Sequence, residues 1–464
     1  MQATFKTIFK YSIFLIIVGI IFCIWRINIP SNIYDNEYLS ICIIYFCTIF
    51  LYIYSLSRYE YFDLFHPIHI LTWLYLCLFI FTPLTFINLN MTLCHGVDVM
   101  KGCIKGSIIF LLGYLGYIIG YTYNKTKIIP KQIQPIKLPQ CCNSYRFKKI
   151  CLIIWAIGFC VQIIFLCLSG KSLIYILTLS GSGEASKVIN SNIGALNNFS
   201  FLMVYPWLLI CLIKFKIKLK LIISYLTFAS FFIIGARFIF IIMCLSFLIC
   251  MKKIKRIEFT IFRLSIILFC LLCFSAYLGD ARRSIDHGSQ KEIYLDANRL
   301  AYVLQSNFDI YQIHYSVVEH YPEKYDFDYG GHMFGDTFTF WIPRFLWPEK
   351  PKVGEQVAGK MIRNTVGEAG VKAAMAWPNL TEYYCDFGPI GVFIIMLLLG
   401  IVSKKALNYY YGKNFFNLIL YAIFIPLIFQ IITRGYTPQN TGLIIFIILP
   451  HFIISRIYKA KIKK

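Results

Sequence analysis

The sequence predicts an all-α protein, a polytopic transmembrane helical bundle of about 12 spans with one large extracytoplasmic loop. The chain of 464 residues is 58% hydrophobic and only 14% charged, whereas soluble domains are nearer about a quarter charged. Several apolar runs approach the roughly 20 residues that an α-helix needs to cross a bilayer. Lysines gather in the short connections between these runs, as is typical of the cytoplasmic loops of membrane proteins.

The apolar runs also give the order of the spans. The first run follows Lys6 and Lys10, and no small-residue cleavage site comes after it, so it is interpreted as a retained anchor. The chain divides into spans 1–9 within residues 1–278, a large loop with amphipathic helices at 279–386, and spans 10–12 within 387–464. The predicted spans are 8–26, 39–56, 68–88, 107–123, 150–168, 198–213, 219–234, 238–251, 260–278, 387–403, 417–433 and 441–457.

The basic residues of alternate connections predict the orientation. With the N-terminus inside, the inside connections hold the basic clusters at 125–149, 214–220, 252–256 and 456–464, and the short outside connections hold few basic residues. Both termini are therefore expected in the cytoplasm, with the large loop on the other side. This placement accounts for the net charge of +23, so the lipid bilayer is an expected partner and nucleic acid is not.

The large loop is predicted to be folded, because it is rich in aromatic residues and has little low-complexity sequence. Apolar residues recur at helical spacing from Glu292 to His320, which predicts an amphipathic helix on the membrane surface or capping the bundle. A second short helix is expected from Glu355 to Asn364. Between these two segments, Pro343, Pro348 and Pro351 exclude a regular helix.

The 17 cysteines lie mostly in apolar runs, where free cysteine behaves as a small hydrophobe. The sequence has no paired C-x-x-C motifs of a zinc site and no Walker-type glycine loop. Cys94 and Cys103 share one outer connection and could form a disulfide, although free thiols are the expectation. No metal and no cofactor are predicted.

Positive charge recurs at the outer ends of helices, where the orientation rule disfavours it. One interpretation is that each arginine only reaches the lipid headgroups. The other is that the guanidinium groups together bind a lipid-linked phosphate or pyrophosphate, since arginine presents a planar fork of donors to phosphate oxygens. The candidate binding residues are Arg237, Arg282, Arg283, Arg344, Lys350, Arg363 and Arg434.

Two further residues are candidates for acid–base chemistry. Glu382 and Asp386 are four residues apart, which places them on one face of a helix. Glu382 is a candidate general base for an acceptor hydroxyl, and the alternative is that it only pairs with one of the arginines. His332 is a rival candidate base, and the alternative is that it is merely a polar loop residue.

Three motifs resemble those of the O-antigen polymerase family, the bacterial oligosaccharide repeat-unit polymerases. "IPRFLWPEKPKVGE" (342–355) resembles the Pro-Arg-aromatic-Trp-Pro-x-Lys-Pro stretch of the large outer loop of that family. "NLTEYYCDFGPIGV" (379–392) is similar to its entry into the following helix, and "GARFIF" (235–240) resembles its turn between two spans. The "GAR" turn departs from the family pattern, which often has serine before the arginine.

The resemblance implies a type C glycosyltransferase-like fold in the bacterial inner membrane, with the active face in the periplasm. It implies transfer of a glycan from undecaprenyl pyrophosphate to the next lipid-linked repeat unit, with a chain-length regulator as a possible partner. On the matching motifs it gives functional roles to Arg237, Arg344, Lys350 and Glu382. Two alternatives stay open: a flippase or exporter of the same lipid-linked glycan, which is not an enzyme, and an O-antigen ligase.

Overall fold

The computed structural model describes most of the membrane-embedded part of the chain. The described residues are 13–21, 24, 33–58, 63–89, 91–94, 96–123, 136, 138–168, 198–234, 237–255, 257, 310–340, 342, 347, 349, 361–367 and 376–462.

Helices dominate the described residues. They are α1 (Asp35–Ser57), α2 (Pro67–Asn88), α3 (Cys103–Thr122), α4 (Tyr145–Leu168), α5 (Val204–Leu212), α6 (Ile217–Ile234), α7 (Arg237–Lys255), α8 (Tyr311–His320), α9 (Asp336–Phe340), α10 (Asn379–Tyr411), α11 (Phe415–Thr433) and α12 (Thr437–Ile462). One small antiparallel hairpin joins α2 to α3. Its strands are β1 (Leu93–Cys94) and β2 (Val97–Asp98), and Cys94 within it and Cys103 at the start of α3 are buried free thiols.

Seven helices of the described part of the chain are long and apolar enough to cross a membrane. They are α1, α2, α4, α10, α11, α3 with the turn before it, and the first 21 residues of α12, and each contains most or all of one predicted span. The chain is therefore an all-α, multi-pass membrane protein. Of the other five predicted spans, 198–213, 219–234 and 238–251 fall on α5, α6 and α7, which are not among the seven. The last two, 260–278 and parts of 8–26, lie outside the described residues.

Helices α3 and α10 make the most extensive helix pair, and glycines allow their close approach. A Cβ atom on Gly120 would lie 2.0 Å from the carbonyl oxygen of Leu397, and one on Gly400 would lie 2.3 Å from that of Tyr117. Small residues at such contacts let helix backbones pack closely in membranes. This pair forms the centre around which the site described below is built.

The structure modifies two expectations about the large loop. Helix α8 does not lie on a surface, because every residue from Tyr311 to Val318 is buried. Helix α10 begins at Asn379, well before the predicted start of its span at 387. Gly388 takes a φ of 64° and a ψ of −161°, outside the helical region, so α10 consists of two helical segments that meet at a kink at the Gly-Pro pair, close to the predicted start at 387. The first turns of α10 therefore carry polar residues into the bundle.

Two polar clusters lie at opposite ends of the bundle. We call the first the His332 end, formed by His332, Glu382, Asp386 and Thr437. We call the second the Asp63 end, formed by Asp63, His66, Lys252 and Tyr410. The segment of α10 that follows the kink runs 21 residues from Pro389 to Tyr410, or about 32 Å at 1.5 Å per residue, and it separates Asp386 from Tyr410. Among the described residues, the α11–α12 loop and residues 328–336 of the large loop, both predicted outside, meet at the first end. Asp63 and Lys252, which lie in connections predicted inside, meet at the second.

Candidate active site at the His332 end of the bundle

His332 is held by an unusual stretch of backbone. Gly330 adopts a φ of 92° and Tyr329 a φ of 46°, both in the left-handed region. The next five residues, Gly331–Gly335, form a single π-helical turn. Such turns and left-handed residues occur often at functional sites. This backbone directs the side chain of His332 toward α10.

Asp386 is the partner of His332 across that contact. Its Oδ1 lies 2.7 Å from Nδ1 of His332 and also accepts the backbone N–H of His332 at 3.3 Å. Its Oδ2 accepts the backbone N–H of Met333 at 2.8 Å. Both side chains are buried. One carboxylate on α10 therefore fixes both the ring and the backbone of the histidine.

The other ring nitrogen of His332, Nε2, is buried and makes no hydrogen bond within the described residues. Burial by itself lowers the pKa of His332, but the hydrogen bond and charge of Asp386, with the charges of Asp328 and Glu382, outweigh it, so the pKa is raised above its ordinary value. Oδ2 of Asp328 lies 3.3 Å from Nδ1. The surroundings thus stabilise a proton on this ring.

Glu382 lies one turn before Asp386 but has a different partner. Its Oε1 accepts the backbone N–H of Thr437 at 3.0 Å, and its Oε2 accepts the Thr437 hydroxyl. Thr437 is the first residue of α12, where a negative charge is favoured by the helix dipole. No lysine or arginine within the described ranges pairs with Glu382 or Asp386. Glu382 therefore ties the start of α12 to α10.

The loop between α11 and α12 completes this end of the bundle. The N–H of Gly435 donates to the carbonyl oxygen of Trp377 at 2.8 Å. The hydroxyl of Tyr436 donates to Oδ2 of Asp336 at 3.2 Å. Burial and the nearby Asp336 carboxylate raise the pKa of Tyr436, so its hydroxyl stays protonated. The cluster is thus enclosed by α9, α10 and the α11–α12 loop.

His314 shows what a structural histidine looks like in the same region. Its Nδ1 lies 3.1 Å from the hydroxyl of Thr381, and its Nε2 lies 3.2 Å from the carbonyl oxygen of Gly106. Burial lowers the pKa of His314 to about 4, so the ring is neutral at physiological pH. Both ring nitrogens are used in packing α8 against α3 and α10. His332 differs from it in having one nitrogen left over.

Comparison with known proteins decides what kind of protein contains this cluster. The sequence profile described as O-antigen polysaccharide polymerase Wzy matches residues 7–461, nearly the whole chain. The chain belongs to this family. Neither the curated proteins nor the solved structures contain a significant match to it. The resemblance noted in the three motifs is thereby confirmed at the level of the O-antigen polymerase family.

Two of the cationic residues predicted for this polymerase are described with their side chains. Arg434 is exposed in the α11–α12 loop, three residues from Thr437, whose backbone N–H reaches Glu382. Arg363 is exposed on the helical stretch 361–367, which α8 anchors through the hydroxyl of Ser316, 2.9 Å from the carbonyl oxygen of Thr365. Both residues thus belong to elements that pack at the His332 end.

Arg237 is placed by the direction of its helix. It begins α7, whose other end carries Lys252 in contact with Asp63. A helix of 19 residues is about 28 Å long, so Arg237 lies toward the His332 end. Arg282, Arg283, Arg344 and Lys350 lie outside the described residues, and their roles stay predictions.

One group of side chains has donors of the kind that bind metals. Asp328, His332 and Cys385 bring ligand atoms within 4.8 Å of one another. Nδ1 of His332 is hydrogen-bonded to Asp386 at 2.7 Å. We therefore assign them no metal, and the prediction of a metal-independent site stays a prediction.

Sequence reasoning found His332 and Glu382 but gave no role to Asp386, Asp328 or Thr437. The spacing of four residues between Glu382 and Asp386, and between Asp328 and His332, was visible in the sequence. The pairing of His332 with Asp386, 54 residues apart, was not. A single sequence carries no signal for which distant polar residues meet.

Proposed function

We propose that this protein polymerises oligosaccharide repeat units linked to undecaprenyl pyrophosphate, at the periplasmic face of the bacterial inner membrane. The growing glycan is transferred from its carrier to the hydroxyl at the non-reducing end of the next lipid-linked unit. One observation carries the proposal beyond family membership. A buried acid–base cluster, with one open imidazole nitrogen, lies at the end of the bundle where the large loop packs.

The position of this cluster favours chemistry at one face over transport. Transporters place their binding sites near the middle of the membrane, commonly between repeated halves with interrupted helices. Here the two buried carboxylic residues of α10, Glu382 and Asp386, lie in its first turns, and the elements that surround them come from the large loop and the α11–α12 loop. An enzyme that meets its substrate at one membrane surface has this arrangement.

The arginines supply the other half of the proposed reaction. As the sugar leaves the pyrophosphate, negative charge develops on the departing oxygen, and a fixed cationic donor there is worth about 3–4 kcal/mol of barrier. Arg434 and Arg363 are exposed on elements at this end, and Arg237 begins α7 toward it. Arg344, Lys350, Arg282 and Arg283 are proposed to join them from the large loop.

The orientation of the bundle follows from its basic connections. The Asp63 end holds Lys252 and neighbouring basic residues and is assigned to the cytoplasm by the positive-inside rule. The His332 end then faces the periplasm, where finished lipid-linked units are exposed. A chain-length regulator is proposed as a partner, as the family resemblance implies.

Purified protein in lipid vesicles, supplied with lipid-linked repeat units, tests the proposal. We expect a ladder of products that differ by one repeat, and Arg344→Ala and Arg237→Ala should abolish it at unchanged protein level. Arg58→Ala is the matched control, because Arg58 is exposed at the other end of the bundle and contacts only Tyr54 in the described part of the chain. Transfer to a different lipid without a ladder would indicate a ligase, and translocation without any transfer would indicate a flippase.

A further inference from the structure

We propose that His332 is the catalytic base that takes the proton from the attacking hydroxyl, and that Asp386 is the positioning residue that prepares it. The inference rests on the proposed glycan transfer and adds the path of the proton to it. The two side chains form a hydrogen-bonded dyad in which the second ring nitrogen of the histidine has no partner among the described residues.

The hydrogen bonds determine which tautomer His332 adopts. Asp386 accepts backbone N–H groups from His332 at 3.3 Å and from Met333 at 2.8 Å, so its carboxylate acts as an acceptor throughout. Nδ1 of His332, at 2.7 Å from the same carboxylate, must therefore carry the ring hydrogen. In the neutral ring, the lone pair is then on Nε2.

That lone pair is available for chemistry. Nε2 is buried and has no partner in the described ranges, and an unmet buried polar atom costs about 1–3 kcal/mol. The same short segment contains the left-handed Tyr329 and the π-helical turn Gly331–Gly335. Unfavourable features of both kinds persist where function requires them. A hydroxyl that donates to Nε2 would remove the cost.

The reaction balances as follows. The oxygen of the acceptor hydroxyl forms a bond to the anomeric carbon of the donor glycan, while the bond from that carbon to the pyrophosphate oxygen breaks. The electron pair of the broken bond goes to the pyrophosphate. The hydroxyl proton moves to Nε2 of His332, and the imidazolium that forms is stabilised by the adjacent carboxylates of Asp386 and Asp328.

Glu382 is less suited to the same task. Both of its carboxylate oxygens are occupied by Thr437, through the backbone N–H and the hydroxyl. Taking up a proton would disturb the attachment of α12 to α10. The two carboxylates of α10 thus have separate roles, with Asp386 orienting the base and Glu382 positioning a helix.

The dyad is tested by measuring the polymerisation rate as a function of pH in vesicles with lipid-linked repeat units. The plateau is the constant rate reached above the pKa of His332. The wild-type rate should fall as pH decreases through the raised pKa of His332, because the protonated ring cannot accept a proton. Asp386→Asn removes the carboxylate charge and the tautomer control. We expect a plateau lower by about 100-fold or more and an acidic limb moved to lower pH. Asp326→Asn is the matched control, since the exposed Asp326 undergoes the same change two residues from Asp328.

Rates are expressed per amount of monodisperse protein. An unchanged plateau and an unmoved acidic limb in Asp386→Asn would show that Asp386 is only structural and would overturn the proposal. If this variant does not fold, His332→Gln decides, and a rate within twofold of wild type would overturn it. A wild-type protein that makes no ladder at any pH would instead refute the proposed function, and the dyad's role with it.

Discussion

The two ends of the bundle each bury a carboxylate, but they compensate it in different ways. Asp63 lies 2.7 Å from the ammonium of Lys252, accepts the hydroxyl of Tyr410 at 2.8 Å and accepts the backbone N–H of Phe65 at 3.0 Å. Asp386, at the other end, is bonded to a histidine and two backbone groups and has no lysine or arginine within the described residues.

The pKa shifts of the titratable groups at the two ends differ accordingly. Burial favours the neutral form of Asp63, but the charge and hydrogen bond of Lys252, with the nearby His66, outweigh it, so the pKa of Asp63 is lowered. Burial and the nearby lysines lower the pKa of His66 to about 4. At the His332 end the carboxylates instead raise the pKa of the histidine.

The difference separates structure from chemistry. A carboxylate compensated by a fixed cation and a hydroxyl holds helices together and gains nothing from a change of protonation. A carboxylate compensated by a histidine leaves a group that can take up and release a proton. The Asp63 end therefore joins α2, α7 and α10, whereas the His332 end is prepared for proton transfer.

The largest effect on stability is expected at the Asp63 end. Asp63→Ala leaves Lys252 without its buried partner, which typically costs about 3–5 kcal/mol of unfolding free energy. The midpoint of thermal unfolding, followed with a dye that reacts with newly exposed thiols, should fall sharply. The protein that remains folded should keep its wild-type polymerisation rate. A lost rate in well-folded protein would contradict the assignment of a structural role.

A smaller effect is expected from Glu382→Gln and Thr437→Val. Each should lower the free energy of unfolding by about 1–2 kcal/mol, because a hydrogen bond to the buried carboxyl group of Glu382 is lost or weakened. The double variant should lose less than the sum of the two, since both remove the same contact. Fully additive losses would mean that Glu382 does not hold the start of α12.

The smallest effect compares one chemical change at both ends. Tyr410→Phe removes a buried hydroxyl at 2.8 Å from Asp63, and Tyr436→Phe removes a partly buried one at 3.2 Å from Asp336. Tyr410→Phe should destabilise the protein by about 1 kcal/mol more than Tyr436→Phe, because the shorter and more deeply buried hydrogen bond contributes more. Equal midpoints of thermal unfolding for the two variants would show that the two hydrogen bonds do not differ in strength.

Much of the fold could be predicted from apolar length and the placement of lysines. Both depend on local composition, and seven predicted spans coincide with described helices that are long and apolar enough to cross a membrane. The sequence left open whether the helix that includes α8 lies on the membrane surface or caps the bundle, because its polar residues are compatible with both. They are in fact matched by distant partners, with His314 bonded to Gly106 and Thr381, and Ser316 to Thr365.

The candidate site was predicted only in its parts. His332 and Glu382 were chosen for their chemistry, which residue type alone indicates. The partner of each depends on how the large loop and α12 fold onto α10, and neither contact is local in sequence. Asp63 is not among the predicted site residues, since a single aspartate in a short connection gives no sign that it will be buried.

The same substitution at the two ends tests the central claim most directly. His332→Gln and His66→Gln each replace a buried histidine, one with an open nitrogen and one bonded to Tyr411. Polymerisation of lipid-linked repeat units is measured for equal amounts of folded protein in vesicles. The account predicts a rate at least about 100-fold lower for His332→Gln and a rate near wild type for His66→Gln. Equal rates for the two variants would contradict it.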